Sequence, residues 1–385
     1  MISVSKKIIF NSNSDYNLSL FRMGVIKKLK EENWEVHAVC PMENYIAELL
    51  QEGVLVHHIP LSRHGLNPFQ DILYLIRLYL IFKEIKPSVI HSFTIKPNIY
   101  GNIAAYFARI PRIINSITGL GYIYIGSGVK KTYLRYLANL LYKFAFLFAY
   151  KVIFQNEDDF LLFTEKYKIL PPYKTIIIKS SGVDCDFFSI KAVNNNILSF
   201  LRKQLEVSND DLVITMIARM IWEKGVAEFT EAAKELKKKY CNISFLLVGP
   251  LETGSPSAVP ESYFKINSQF IRWVGHQKDI KHILALSAIV ILPSYREGVP
   301  RVLLEAMSMS RPIITTDAVG CREVIEHNKN GIMIRTHSPE DISAAIQKFI
   351  ENRNILKLFG ECGRRNAETK WRGEQNYAMH YDLYI

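Results

Sequence analysis

The sequence predicts an α/β protein of two doubly wound, parallel-sheet domains. Three observations carry this. Short apolar runs alternate with longer helical patterns through the first half of the chain. The same beat restarts after a polar stretch at 189–211. The length of 385 residues suits two or three domains at roughly 150 residues each. Strands buried on both faces read as short apolar runs, and alternation with helices marks βαβ units.

The apolar run 7–11 reads as the first strand, followed by the polar loop Ser12-Asn13-Ser14-Asp15-Tyr16-Asn17. A helical pattern covers 18–32, with Leu20, Val25, Ile26 and Leu29 apolar. Strands at 36–40, 54–59, 88–91, 112–116, 151–155 and 174–179 then alternate with helices at 44–52, 68–85, 98–108 and 130–149. In the second half, strands at 212–218, 243–248, 289–292 and 312–316 are interleaved with helices at 225–240, 300–309 and 342–351. The expected division is a first domain at 1–190 and a second at 191–366. Residues 189–211, with Asn194-Asn195-Asn196, read as a linker. The segment 367–385, with Trp371, Tyr377, Tyr381 and Tyr384, reads as a helix packing back between the domains. Two such domains are expected to face a cleft, with ligands beyond the carboxyl ends of the strands.

Composition narrows the class. The chain is 49% hydrophobic and 22% charged, as in soluble globular proteins. Its five cysteines are scattered without metal-ligand or redox spacing, which reads as reduced thiols in the cytoplasm. Residues 1–11 hold Lys6 and Lys7 before only Ile8-Ile9-Phe10, too short for a secretory core. No run reaches the ~18 apolar residues of a membrane span. The net charge is +11, and residues 101–150 hold six basic residues and no acid. A basic face fits nucleic acid, an anionic membrane or an anionic substrate. No RNA-binding signature or zinc-finger spacing is present, so nucleic acid is set aside.

The chemistry concentrates in Leu292-Pro293-Ser294-Tyr295-Arg296-Glu297-Gly298-Val299-Pro300 and the helix that follows. Pro300 suits a first helical turn, and Glu305 falls about one and a half turns further on. Helix-end amides near Gly298, Val299 and Pro300 make an anion site, and the carboxylates of Glu297 and Glu305 accept hydrogen bonds from sugar and ribose hydroxyls. The plain alternative is two solvated glutamates. Arg219 ends a strand and Lys224 enters the next helix beside Gly225. Two such cations can bind a diphosphate and stabilise charge as it leaves, or be ordinary surface charge. His91 is placed at the end of the fourth strand with Lys96 in the loop after it, in a catalytic, sugar-contacting or supporting role. Asn13 lies in a loop without glycine, which is therefore no dinucleotide fingerprint and reads as a lip facing donor phosphate or acceptor. Arg22 either binds an acceptor phosphate or caps local structure. The segment 130–151 sets Lys130, Lys131, Arg135, Lys143 and Lys151 around Leu137, Leu140, Leu141, Phe144 and Phe148. It reads as a membrane-surface helix or as a core helix with a solvated face.

Glu297 and Glu305, separated by seven residues, resemble the paired glutamates of the retaining GT-B glycosyltransferases of family four. Arg219-Met220-Ile221-Trp222-Glu223-Lys224-Gly225 resembles the family's Arg-x4-Lys-Gly diphosphate clamp. Val274-Gly275-His276 looks like the strand and loop near the nucleotide base, and Thr316-Asp317-Ala318-Val319-Gly320-Cys321-Arg322-Glu323 like the family's following loop. Phe21-Arg22-Met23, Leu66-Asn67-Pro68-Phe69, Lys96-Pro97-Asn98 and Gly119-Leu120-Gly121 are similar to the bacterial subgroup that extends polyprenyl-diphosphate-linked sugars in N-glycosylation, capsule and O-antigen assembly. The N-acetylgalactosaminyltransferases of that subgroup have a glutamate where this chain has Thr118.

The resemblance implies two Rossmann-like domains in a GT-B arrangement and a UDP-sugar as co-substrate, with no further cofactor and no metal. Arg219 and Lys224 would hold the diphosphate, Glu305 the ribose and Glu297 the transferred sugar, with Gly275 and His276 near the base. The acceptor side would include Asn13, Arg22, Gly119 and Gly121. The transferred sugar would be a hexose or N-acetylhexosamine, N-acetylgalactosamine first, passed to a sugar on polyprenyl diphosphate. The protein would sit peripherally on the anionic cytoplasmic face of the inner membrane. Asp184-Cys185-Asp186 mimics the metal-binding Asp-x-Asp of the other large glycosyltransferase fold, but a turn or cap is the more economical reading. A non-hydrolysing nucleotide-sugar epimerase of the same fold and an inactive nucleotide-sugar-binding protein are the alternatives.

Overall fold

The computed structural model describes residues 6–385 apart from Arg63, His64, Leu66 and Thr253. The leader reading at 1–5 and Leu66 of the 66–69 segment lie outside the described residues. The chain forms two compact units, one of residues up to Ser181 together with Gly373–Ile385, the other Gly182–Arg372.

Unit one carries strands β1 (Lys7–Asn11), β2 (Glu35–Cys40), β3 (Leu55–His58), β4 (Val89–Phe93), β5 (Arg112–Ile117), β6 (Lys151–Phe154) and β7 (Thr175–Ile177). All pair in parallel in the order β3-β2-β1-β4-β5-β6-β7. The helices are α1 (Asp15–Glu31), α2 (Ile46–Gln51), α3 (Pro68–Ile85), α4 (Ile95–Phe107), α5 (Val129–Ala145) and α6 (Glu157–Leu161). Their starts follow from side-chain caps: Ser14 accepts from the Asn17 amide, Asn67 from that of Phe69 ahead of Pro68, and Asn156 from that of Asp159. Helix α4 starts three residues before its sequence-read position, with Pro97 in the first turn, where a missing N–H costs nothing. Lys96 is therefore a helical residue and not a loop residue.

Unit two carries α7 (Asn195–Gln204), β8 (Leu212–Ile217), α8 (Val226–Lys237), β9 (Ile243–Val248), α9 (Glu261–Ile266), β10 (Arg272–Trp273), α10 (Ile280–Leu286), β11 (Ile289–Leu292), α11 (Arg301–Ser308), β12 (Ile313–Thr316), β13 (Gly331–Ile334), α12 (Pro339–Glu351) and α13 (Asn354–Lys370). The sheet order β10-β9-β8-β11-β12-β13 is again wholly parallel. The 189–211 stretch is not a linker. It holds α7, capped by Asn194 and packed on α10, because the polar run Asn194-Asn195-Asn196 starts a helix whose Leu198 and Leu201 join a core cluster. The segment 367–385 is the end of α13 and a second helix, α14 (Gly373–Tyr384). The chain leaves unit two at Arg372, and α14 packs on α1 in unit one.

His91 is not at a strand end. It lies in the middle of β4, fully buried, with Nδ1 hydrogen-bonded to the Tyr384 hydroxyl at 2.7 Å and Nε2 to the Ser116 hydroxyl at 2.8 Å. Burial, then His380 and Arg22, hold its pKa well below the ordinary value. Buried His380, on α14, is pushed down to about 3, mainly by burial and then by Arg22. Both rings are thus neutral in the folded state, whereas the unfolded chain takes up protons below about pH 6.5. Stability tied to these groups is lost as pH falls through that value. The melting temperature is expected to drop between about pH 7 and about pH 5, and by less in His380→Gln than in the wild type. An equal drop in both proteins, measured by thermal denaturation, contradicts this.

Candidate active site

In a doubly wound sheet the crevice lies where strand order reverses. In unit two this is between β8 and β11, whose following loops carry Arg219 and Lys224 on one side and Glu297 on the other. After β8 the backbone stays extended, with Met220 N bonded to Pro250 O, Val259 N to Met220 O and Trp222 N to Ser257 O. This sets Arg219 and Lys224 on a braced segment that ends in a 3₁₀ turn, Trp222–Lys224.

Two glycines let the loops close on one another. Gly225 opens α8 at φ +83°, and a Cβ there would lie 2.4 Å from Pro293 O. Gly320 has φ +77°, and a Cβ would lie 2.2 Å from Gly298 O and 2.4 Å from Glu297 O. Tyr295 N donates to Glu223 O and Glu297 N to Val319 O, each at 2.9 Å. The loops after β8, β11 and β12 therefore form one interlocked surface.

On that surface Lys224 Nζ donates to the Glu297 carboxylate, both side chains being mostly buried. Arg219 is more open, at 47% side-chain exposure, and pairs with the nearly buried Glu252 at 3.3 Å. Gly298, Val299 and Pro300 are buried, and the amino end of α11 has no side-chain cap at Pro300. Glu305, one turn into α11, accepts from Arg301 Nε at 2.8 Å. Its pKa is raised by burial against the opposing pull of Arg301. Gly275 follows β10, and its carbonyl accepts from Gly249 N at 2.8 Å; His276 beside it is exposed. The chemical sum is an anion-binding corner with one carboxylate tied to its lysine and another held by its own arginine. The sequence reading missed the partners Arg301 and Glu252. Arg301 was available as an i,i+4 neighbour of Glu305. Glu252 has no local signal.

In unit one Asn13 lies at the β1–α1 turn. Arg22 is buried, with its guanidinium over the Phe93 ring at 4.3 Å. Lys96 is paired with Asp71 at 2.6 Å, and Tyr100 donates to the same carboxylate at 3.0 Å. Gly119 and Gly121, at φ +130° and +68°, bracket buried Leu120. The loop beyond them is fastened to α5 by Arg135, which donates to Ile123 O and Gly126 O, and by Lys131, which donates to Ile125 O, all at 3.0 Å. His91, fully buried with both nitrogens engaged, is a packing residue of the sheet and is corrected from its catalytic assignment. Asp184 accepts from the amides of Asp186 and Phe187, a turn cap, and Asp186 pairs with Arg372. Among the described residues no group of three or more His, Cys, Asp or Glu side chains could hold a metal ion.

Residues 199–366 match the model of glycosyl transferases group 1, and residues 7–156 that of glycosyl transferase 4-like domains. The N,N'-diacetylbacillosaminyl-diphospho-undecaprenol alpha-1,3-N-acetylgalactosaminyltransferase of Campylobacter jejuni is 33% identical over 91% of this chain and 90% of its own. The UDP-Gal:alpha-D-GlcNAc-diphosphoundecaprenol alpha-1,3-galactosyltransferase of Escherichia coli is 25% identical over 93% and 90%. The structure of Anabaena HepE in complex with UDP-glucose matches with a TM-score of 0.79 at 19% identity, over 98% of each chain. The two parallel-sheet units and these matches define a GT-B glycosyltransferase. The chain belongs to the family-4 glycosyltransferases that carry the group 1 domain. This makes it a transferase and not an epimerase.

Two predictions follow from the corner in unit two. Hydrogen bonds to charged groups are worth about 1.5–3 kcal/mol, so Lys224→Ala and Arg219→Ala should each weaken UDP binding roughly ten- to hundredfold by calorimetry. Glu297→Gln removes a negative charge beside the anion. It should leave UDP affinity equal or tighter while turnover falls, and a tenfold loss of UDP affinity in that variant contradicts the arrangement. The second concerns pH. If Glu305 takes the ribose diol, as the resemblance implies, it must be ionised to accept from two hydroxyls, and its pKa is raised, so UDP affinity should decline as pH falls at a higher pH than about 4.3, the ordinary glutamate value. Glu305→Gln should bind weakly with that step gone; a step of unchanged size would assign it to another group.

Proposed function

We propose that this chain moves a hexose or N-acetylhexosamine, N-acetylgalactosamine first, from a UDP-sugar to a sugar on polyprenyl diphosphate, with retention of anomeric configuration. The observation that carries the reading is the Lys224–Glu297 pair at the β8/β11 switch point, in the loop that leads into α11 and Glu305. The names of the Campylobacter and Escherichia relatives support the lipid-linked acceptor.

Lys224 and Arg219, with the amides at the start of α11, neutralise the diphosphate as the bond from the sugar's anomeric carbon to phosphate oxygen breaks. Glu305, held by Arg301, takes the ribose diol, and Glu297 the hydroxyls of the transferred sugar. The acceptor hydroxyl attacks the same face of the anomeric carbon. Its proton passes to the departing phosphate oxygen, so no side-chain base is needed, consistent with the buried, fully engaged state of His91. Two side-chain cations supply the charge that a divalent ion supplies elsewhere. Asn13, Gly119 and Gly121 belong to the acceptor side. The lipid carries the work to the cytoplasmic face of an anionic membrane, where the protein is peripheral; among the described residues no helix is long and apolar enough to cross a membrane. Each basic residue near such a surface contributes about 1 kcal/mol.

The test is a panel of UDP-sugars against polyprenyl-diphosphate-linked mono- and disaccharides, read by mass spectrometry, with the product anomer read by NMR. Transfer with retention from one UDP-sugar, undiminished in excess chelator, is expected. Inversion, or loss in EDTA with rescue by Mn²⁺ or Mg²⁺, would overturn the mechanism. Transfer only to soluble acceptors would overturn the acceptor.

A further inference from the structure

Helix α5 exposes Tyr136, Leu140 and Phe144 along one stripe, and the charged residues among its exposed positions are Lys130 and Lys143. Lys131 and Arg135 are instead tied to loop carbonyls. Helix α3, read from sequence only as a helix, has the same design. Its inward side is Tyr74, Leu78 and Phe82. Its outward side presents Phe69, 82% exposed, followed by Ile72, Ile76 and Leu80. From Phe69 to Leu80 the one charged residue at an exposed position is a cation, Arg77; Asp71 is turned inward to Lys96. Helix α4 packs against both α3 and α5. The three share one face of the sheet, with α1 and α14 on the other. The stripes therefore face the same side, flanking α4, whose last exposed residues are Tyr106 and Phe107. Tyr106 stacks on Phe148 at 4.2 Å, joining the two ends.

An apolar surface of this extent on a soluble face marks an interaction site. We propose that α3 and α5 together form a platform that docks on an anionic lipid bilayer, α3 inserting its stripe beside that of α5. The charge argues for this occupant. The stripes are fringed mainly by cations, Arg77 and Lys83 on α3 and Lys130 and Lys143 on α5, with Glu84 at the end of α3 the one exposed acid, so a second copy of the same surface would set cation against cation over most of its area, whereas anionic headgroups meet them. Neither helix qualifies as a membrane span, which fits helices lying in the interface. The proposal extends the peripheral-membrane reading above, but its test is separate from transfer.

Wild type, Ile72→Gln/Ile76→Gln/Leu80→Gln on α3, and Leu140→Gln/Phe144→Gln on α5 are floated with phosphatidylethanolamine/phosphatidylglycerol vesicles and with phosphatidylcholine vesicles. UDP calorimetry and sedimentation of each protein report folding and association. The wild type should partition to the anionic vesicles in preference to the neutral ones. Each variant should lose at least tenfold in partitioning with UDP binding unchanged. Partitioning of the folded α3 variant equal to wild type overturns the proposal, as does absence of wild-type flotation. So does a wild-type dimer that the α3 substitutions dissociate, which would assign the surface to a second copy. Normal partitioning by a protein that transfers sugar to no lipid-linked acceptor would uphold the platform and count against the acceptor reading alone.

Discussion

The Lys224–Glu297 ion pair is the constraint on which the site in unit two depends. Taking two opposite charges out of water costs several kcal/mol per ion and is repaid only by good geometry. Here the geometry is set by backbone. Gly225 lets the start of α8 close on Pro293, and Gly320 lets the loop after β12 close on Glu297 and Gly298. The fully buried Cys321 lies in the same corner. Burial, and then Glu297, push its thiol up to about 12, so it stays neutral and adds no charge. An ammonium has three donors, so Lys224 can keep its carboxylate and still meet a phosphate oxygen. The pair holds a cation at a sheet switch point without leaving it unbalanced.

Unit one is organised around a different constraint, a polar interior under a parallel sheet. Asn11 accepts from Tyr74, Asn98 and Asn115 bond each other, and Asn102 bonds both Asn115 and Ala145 O. Buried amides must be satisfied, and these bonds tie β1 to α3, β5 to α4, and α4 to α5. His91 extends the set to Tyr384 at the far end of the chain, so the last helix is part of the first unit's core.

Both sheets were legible in the sequence because a parallel βαβ chain writes its strands as short apolar runs. Helix α3 and strands β9 and β11 fall at their sequence-read bounds. Elements whose burial depends on distant partners were not legible. Strand β13, a four-residue edge strand beside β12, has too few residues to show a period. Helix α7 hid in a polar run because its packing face is completed by α10. The site was half legible. Arg219, Lys224, Glu297 and Glu305 could be picked out by their resemblance to family motifs, since each pair lies within one short segment of the chain. His91 misled, because a histidine inside a buried strand looks, by sequence, like one at its end. The pairings of Glu252 with Arg219 and of Tyr384 with His91 were invisible, for the partners are far away in sequence.

The account rests on the claim that the corner built on Lys224 and Glu297 is the nucleotide-sugar site. A crystal structure with UDP bound tests it most directly. The predicted result places diphosphate oxygens within hydrogen-bond distance of Lys224 Nζ and the Arg219 guanidinium, with the ribose diol on Glu305. UDP bound in unit one, or in unit two away from Lys224, would contradict it.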